Sequence, residues 1–223
     1  EGTEWGSLHP CCLSGSARFF KPAYSIFLIN KWLPSIKGAI NILTKGGSFA
    51  DIGCGFGHST TMIAEQFPKS SIRGVDPHEQ SIHEAQKIAE QKNLSNLTYE
   101  IASAENYSGE YDIISFFDCL HDMGDPVAAV SYAKTKLRAG GALMIIEPYA
   151  NDEVSKNFNI IGQMYYSFST IACVPASKSQ KGGMALGAQA GLKQLTNVLN
   201  SGGFSKVEMT YKTASNMVIE ARV

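Results

Sequence analysis

A regular alternation of strand-like and helix-like segments, beginning near residue 48, constrains the fold of this chain more than any other feature. Apolar runs typical of buried strands occur at 48–52, 71–76, 97–102, 111–118 and 142–148. Segments with helical apolar spacing lie at 59–67, 79–93, 125–138 and 190–204. Because parallel strands need long crossover connections, this order predicts a mainly parallel sheet with helices on both faces. We expect Gly140 and Gly141 to end the helix before the fifth strand.

The chain closes with two more strand-like runs, at 206–211 and 216–223, separated only by 212–215. A connection that short fits a hairpin and is too short for a parallel crossover. The sequence therefore predicts an α/β fold with a seven-stranded, mainly parallel sheet and an antiparallel last strand.

The predicted domain covers residues 45–223 and carries an insertion at 149–187, where aromatic, Ser/Thr and Gly residues follow no clear period. Residues 1–44 are expected to form a helical and irregular N-terminal segment, with the irregular part at 1–23. Because the chain starts at Glu1 rather than Met, this segment is consistent with a linker from a missing upstream domain.

Charge and cysteine content exclude several classes of function. The net charge is −1 and no run of Lys or Arg stands out, so we expect no nucleic-acid partner. No apolar run is long enough to span a bilayer, and we expect no membrane partner. The five cysteines show no C-x-x-C spacing, which indicates reduced thiols and a cytoplasmic location. The histidines form no metal-binding pattern, so no metal ligand is predicted.

The stretch "DIGCGFG" follows the first strand and places Gly53, Gly55 and Gly57 at the expected binding edge of the sheet. It departs from the dinucleotide pattern G-x-G-x-x-G, because His58 stands where the last glycine is needed. Asp51 precedes the loop, and a carboxylate there suits a cationic ligand group better than a pyrophosphate.

Three more features follow strands at the same edge. Asp76 ends the second strand and can accept both hydroxyls of a ribose. "ASAE" follows the third strand at 102–105, and "FFDCLHDMGDP" follows the fourth at 116–126.

This ordered set resembles the class I S-adenosylmethionine-dependent methyltransferases, from about residue 45 to the end. The resemblance implies a Rossmann-like fold, with S-adenosyl-L-methionine as cofactor and S-adenosyl-L-homocysteine as product. The implied cofactor-binding residues are Asp51, Gly53, Gly55, Asp76, Pro77, Ser103, Ala104 and Asp118. The family often has Asp where Ser103 stands. "RFFKPAY", "KWLP" and "LGAQAG" resemble a subgroup that often carries an N-terminal winged-helix domain.

The resemblance implies methyl transfer to a small-molecule acceptor. The alternative is a cofactor-binding sensor or transcriptional regulator with weak or no catalysis. His58 and Asp51 argue against a third reading, a nicotinamide oxidoreductase.

His121 and Asp122 are the predicted catalytic residues, and Glu147 is a further candidate base. Imidazole titrates near neutrality, so His121 is suited to take a proton from an acceptor hydroxyl. Alternatively, His121 caps the following helix or contacts the adenosine. Glu147 is alternatively a buried acid satisfied by backbone donors.

Aromatic side chains of the N-terminal segment and the insertion are the candidate walls of the acceptor pocket. The predicted substrate-binding residues are Tyr24, Tyr149, Tyr165 and Tyr166. Core packing is the alternative for most of them, and also for Trp32. The apolar residues at 19–40 could serve a homodimer.

Overall fold

A seven-stranded sheet runs through the chain, in a computed structural model that describes residues 2–223. The strand order is β3-β2-β1-β4-β5-β7-β6. All pairs from β3 to β5 are parallel, whereas β7 is antiparallel to both β5 and β6. The predicted sheet and its closing hairpin are confirmed. The strands are β1 Ser48–Ile52, β2 Ser71–Asp76, β3 Leu97–Ile101, β4 Tyr111–Phe117, β5 Leu137–Pro148, β6 Lys206–Lys212 and β7 Asn216–Arg222.

Helices cover both faces of this sheet. The α-helices are α1 Pro10–Ala23, α2 Leu33–Ser35, α3 Ala39–Thr44, α4 His58–Gln66, α5 Glu79–Gln91, α6 Pro126–Lys136, α7 Ile160–Phe168, α8 Val174–Ser179 and α9 Leu192–Ser201. Neighbouring residues of β1 point to opposite faces: Phe49 belongs to the buried cluster that contains Trp32, and Ala50 belongs to the one that contains Leu195, on the α6–α9 side. Trp32 is fully buried and belongs to the core.

The N-terminal segment is more regular than the sequence predicts. Helix α1 begins at Pro10, and the His9 imidazole accepts a hydrogen bond from the Cys11 amide in its first turn. The helix then continues through a π-type segment, Tyr24–Trp32, into α2. The prediction of an irregular stretch over 1–23 is wrong from residue 10 onward. Proline is favoured at the first helical position, where its missing N–H costs nothing.

The insertion at 149–187 is also largely helical. A short 3-10 turn, Val154–Asn157, leads to α7, which continues through the π-type segment Ser169–Cys173 into α8. The Asn159 side chain caps α7 by accepting the Gly162 amide at 2.9 Å. A π-type turn is wider than an α-turn and rotates the apolar face, which removes the regular period from the sequence.

Gly140 and Gly141 lie inside strand β5 and do not end a helix. Helix α6 ends at Lys136, and β5 begins with the next residue. The β4–β5 register shifts between the pairs at Tyr111 and Ile113, and Gly140 has a φ of +77°. A bulge at the start of β5 therefore accounts for the glycine pair.

Within residues 2–223, none of the helices combines the length and apolar content that a bilayer-spanning helix needs.

Candidate active site

The loop after β1 has three glycines in the left-handed region of backbone space. Their φ angles are +72° at Gly53, +51° at Gly55 and +69° at Gly57. A Cβ atom at Gly53 would lie 2.7 Å from the Cys119 sulfur, so this glycine is needed for packing. A Cβ atom at Gly55 would meet nothing within 4 Å, so the backbone there faces open space that a ligand can approach.

Asp76, at the end of β2, ties this loop to the neighbouring strand. Its Oδ2 accepts the Gly55 amide at 2.9 Å, and its Oδ1 accepts the His78 amide at 2.8 Å. Burial raises the pKa of this carboxyl, although the two amides act in the opposite direction. Each carboxylate oxygen keeps a second lone pair, so Asp76 can still accept hydroxyls from a ligand. Pro77 follows and is exposed.

Asp51 is fully buried and hydrogen-bonded by three side chains. Its Oδ2 accepts the hydroxyls of Ser59 at 2.6 Å and Thr60 at 2.7 Å, and its Oδ1 accepts that of Ser115 at 3.2 Å. Burial raises the pKa of Asp51 to about 6, in spite of these hydroxyls. The carboxylate therefore joins β1 to the first turn of α4, directly behind the glycine loop.

The segment after β3 is open to solvent. Ile101 ends the strand with 49% of its surface exposed, Ser103 is exposed and Ala104 is half-buried. The Ser103 hydroxyl accepts the Glu105 amide at 3.3 Å. An apolar surface beside a free hydroxyl proton is suited to a flat heterocycle.

Asp118 follows β4 with a φ of +51°, which is uncommon for a residue other than glycine. Its Oδ2 accepts a hydrogen bond from the Tyr24 hydroxyl at 2.8 Å, and its Oδ1 accepts one from the side-chain amide of Asn216 at 2.9 Å. Burial, with the nearby Glu147 carboxylate, raises the pKa of Asp118 to about 8. Each oxygen of Asp118 thus has one partner within the protein.

His121 lies in a 3-10 turn, Leu120–Asp122, inside what we call the β4 turn, residues 118–124. The imidazole is 3% exposed, and its Nδ1 is hydrogen-bonded to Oε2 of Glu147. Oε1 of Glu147 accepts the amides of Leu120 at 2.9 Å and His121 at 3.3 Å. On the other side, Nε2 lies 3.2 Å from Oδ1 of Asp122. The ring is held between two carboxylates.

Those carboxylates set the charge of the imidazole. Burial alone would lower the pKa of His121, but Asp122 and then Glu147 outweigh it and hold the pKa well above its usual value. The helix-capping alternative for His121 is wrong, because Asp125 caps α6 by accepting the Ala128 amide at 2.9 Å. Glu147 is a buried acid that accepts hydrogen bonds from backbone donors, which confirms the second interpretation given for it above. Its contact with Nδ1 also orients His121.

Cys173 joins this group from the insertion. A ring nitrogen of His121, a carboxylate oxygen of Asp122 and the sulfur of Cys173 all lie within 4.8 Å of one another. The thiol is buried, and burial raises its pKa. Sequence analysis missed this residue, since a single cysteine in the insertion carries no signal of proximity to the β4 turn.

The insertion also holds the backbone of the β4 turn. The side-chain amide of Gln180 accepts a hydrogen bond from the Gly124 N–H at 3.0 Å and donates one to the Asp122 carbonyl at 2.9 Å. The Ser177 hydroxyl donates to the Met123 carbonyl at 2.8 Å. Sequence analysis missed Gln180 and Ser177 as well.

A cavity of about 390 Å³ lies between the α7–α8 helical run and the segment at 186–189. Tyr166 lines it, as do Val174 and Lys178. The cavity wall adjoins the β4 turn, because the Gly187 amide donates to the His121 carbonyl at 3.3 Å.

The other three candidate tyrosines do not line this cavity. Tyr24 and Tyr165 are buried, and the Tyr165 hydroxyl donates to the Ser215 carbonyl at 3.0 Å. Tyr149 is half-buried, with the Lys212 ammonium 5.2 Å from the centre of its ring. Tyr24 and Tyr165 are therefore hydrogen-bonded within the protein, and their assignment to the acceptor wall stays a prediction.

The model of a family described as "Methyltransferase domain" matches residues 43–203. The chain belongs to this family. The methyltransferase family predicted from the glycine loop and the strand-end residues is therefore confirmed, and the matched range covers β1 through β5 together with the insertion.

Curated relatives of this methyltransferase domain include O-methyltransferases. It is 26% identical to the ubiquinone biosynthesis O-methyltransferase of Acinetobacter baylyi, covering 66% of this chain and 60% of that protein. It is 25% identical to the malonyl-[acyl-carrier protein] O-methyltransferase of a Paenibacillus species, covering 70% of this chain and 55% of that protein. The chain thus spans less than two thirds of the length of these relatives.

Solved methyltransferase structures share the fold. An O-methyltransferase family protein from Burkholderia thailandensis has a TM-score of 0.70 at 15% identity, covering 95% of this chain and 58% of that one. Human N-acetylserotonin methyltransferase, solved in complex with SAM, has a TM-score of 0.66 at 16% identity, covering 94% of this chain and 56% of that one. At such identities the likeness concerns the fold.

Proposed function

We propose that the chain is an S-adenosylmethionine-dependent methyltransferase that methylates an oxygen of a small-molecule acceptor. The observation that carries this proposal is the His121 imidazole held between two carboxylates, at the end of β4 and beside an open glycine loop. The names of the O-methyltransferase relatives support oxygen as the acceptor atom.

The residues after the first three strands are suited to the cofactor. Gly55 leaves open space at the loop, and Asp76 is placed to accept ribose hydroxyls. Ala104 and Ser103 offer an apolar surface and a hydroxyl for the adenine. Asp51 acts from behind the loop, through its hydroxyl partners. When bound, the cofactor supplies a methyl group on a positively charged sulfur.

His121 is the proposed proton acceptor for the acceptor hydroxyl, at Nε2. Glu147 holds Nδ1 and so fixes the tautomer and the orientation of the ring. Asp122 stabilises the imidazolium that forms. The two carboxylates raise the pKa of His121, and the ring acts as a base once Nε2 has lost its proton.

Two measurements on the same preparation test the proposal. Calorimetry with S-adenosylhomocysteine measures cofactor binding, and release of S-adenosylhomocysteine from S-adenosylmethionine measures turnover on a panel of hydroxylated acceptors. We expect both binding and turnover. Binding without turnover on any acceptor would favour the sensor or regulator alternative, and the absence of binding would reject the cofactor.

A cytoplasmic location and a homodimer are further parts of this proposal. Five free cysteines support a reducing compartment. For the dimer, the support is a set of exposed apolar side chains in the N-terminal segment: Phe19 is 40% exposed, Ile26 60% and Ile40 37%. Neither nucleic acid nor a membrane is proposed as a partner.

A further inference from the structure

The cavity beside the β4 turn has the size and surface of a small-molecule site. Its volume of about 390 Å³ falls in the range of roughly 300–1,000 Å³ seen for such sites. Val174, Pro175 and Leu186 provide an apolar lining that suits a ring-sized body.

Two polar groups on this cavity are unused by the protein. Lys178 forms no ion pair and Tyr166 makes no side-chain hydrogen bond, counting all partners in residues 2–223. Lys178 is the charged residue of the lining, which contains no acidic side chain. The Lys178 ammonium favours an anionic ligand group, and the Tyr166 hydroxyl can form a separate hydrogen bond to a ligand.

Gln189 gives a second indication that the cavity binds a ligand, because one of its polar atoms lacks a partner in the described part of the chain. Its Nε2 donates to the Ala188 carbonyl at 3.2 Å. Its Oε1 is buried without a hydrogen-bond partner in residues 2–223. Buried carbonyl oxygens are normally paired, so a ligand hydroxyl that this side chain can turn toward would stabilise the site.

The cavity is joined to the predicted base through two contacts. Its lining residue Gly187 donates to the His121 carbonyl, and its lining residue Val174 directly follows Cys173, whose sulfur lies within 4.8 Å of a His121 ring nitrogen. A ligand anchored at Lys178 and extending along the α7–α8 run is thus directed toward the β4 turn.

We infer that this cavity binds the methyl acceptor and that the acceptor is a hydroxy acid with an apolar, ring-sized body. The inference rests on the proposed function. The carboxylate of the acceptor binds Lys178, and its hydroxyl reaches His121. The hydroxyl proton passes to Nε2 while the oxygen lone pair forms the bond to the methyl carbon. The carbon–sulfur bond breaks, its electron pair stays on sulfur, and S-adenosylhomocysteine is released.

Matched pairs of acceptors test this inference on the full chain. Hydroxybenzoates and hydroxycinnamates are compared with their methyl esters, which keep the ring and hydroxyl but lose the charge. Calorimetry in the presence of S-adenosylhomocysteine measures binding, and S-adenosylhomocysteine release measures turnover. We expect the acids to bind roughly tenfold or more tightly than the esters. Equal affinity for acid and ester, or no binding of any acid, would overturn the inference.

The variant Lys178→Met tests whether Lys178 binds the carboxylate of the acceptor. It should remove the preference for acids by raising their KM about tenfold, while the KM of the esters stays unchanged. Lys181→Met is the matched control, because Lys181 is exposed and does not line the cavity. A Lys178→Met variant that keeps the wild-type preference would place the anion elsewhere and overturn the assignment.

These measurements separate the two proposals. Turnover on uncharged acceptors only, with normal cofactor binding, would leave the methyltransferase proposal intact and reject the hydroxy acid. Lys178-dependent binding of acids without S-adenosylhomocysteine release would keep the cavity assignment and reject catalysis.

Discussion

The glycine loop and the β4 turn lie at the same edge of the sheet but are built in different ways. The loop is held mainly by side chains at or near the ends of β1 and β2, as in the Gly55–Asp76 contact. The β4 turn is held by contacts from far along the chain: Glu147 from β5, Gln180 after α8 and Asn216 from β7. A short sequence motif can therefore describe the first region and cannot describe the second.

The two regions also differ in charge. Asp51 and Asp76 near the loop are bonded to hydroxyls and amides. In the β4 turn, His121 lies between Glu147 and Asp122. Changes near the loop should thus alter cofactor affinity, and changes in the turn should alter turnover and its pH dependence.

Gly55→Val should abolish S-adenosylhomocysteine binding in a folded domain, because its side chain fills the open space beside the loop. Gly140→Val is the control: Gly140 also has a positive φ and a Cβ position with nothing within 4 Å, but it lies in β5 away from the loop. Both variants should lose about 1–2 kcal/mol of unfolding free energy from backbone strain. Calorimetry and denaturant unfolding separate the effects, and normal binding by Gly55→Val would show that the loop only turns the chain.

His121→Ala should lower turnover by about 10²–10⁴-fold with cofactor affinity nearly unchanged, since it removes the proton acceptor. His83→Ala provides the control, because His83 is an exposed residue on α5. kcat and the affinity for S-adenosylhomocysteine are measured on each variant. Reduced affinity with unchanged kcat would instead support contact between His121 and the adenosine, as the alternative interpretation holds.

Asp76→Ala should weaken cofactor binding by roughly 2–4 kcal/mol, because the ribose loses its charged acceptor and the Gly55 amide loses its anchor. At saturating cofactor, kcat should change little. Glu79→Ala, which removes an exposed acid at the start of α5, should leave both constants unchanged. Unchanged calorimetric affinity in Asp76→Ala would reject the ribose assignment.

Asp122→Asn should move the pH dependence of kcat toward lower pH. The Asp122 charge raises the pKa of His121, so removing that charge lets Nε2 lose its proton at a lower pH. Activity in the wild type should rise with pH, above the usual titration range of imidazole. Asp125→Asn, which alters the α6 cap and not the imidazole, should leave the profile in place. An unshifted profile in Asp122→Asn would mean that His121 is not the titrating base.

The parts of the fold that could be predicted from sequence are those with a regular period. Strands buried on both faces and the helices between them carry such a pattern, and the short hairpin connection between β6 and β7 excludes a parallel crossover. Helix α1 could not be predicted in this way, because Leu13 is its one buried residue and Pro22 lies inside it. The run from α7 to α8 continues through a π-type segment. There the apolar positions shift around the helix, and the period that sequence analysis relies on is lost.

In the candidate site, too, some features could be predicted from the sequence and others could not. The amino-acid sequence by itself determined which residues stand at the strand ends, since a glycine loop after β1 and an acid after β2 reach the same edge in any parallel sheet of this order. Only the tertiary structure decided that Glu147 and Cys173 lie beside His121, and that Tyr24 and Tyr165 are buried. The physical reason is that the pKa and orientation of a buried side chain depend on charges and donors brought together through space, from positions that no local spacing connects.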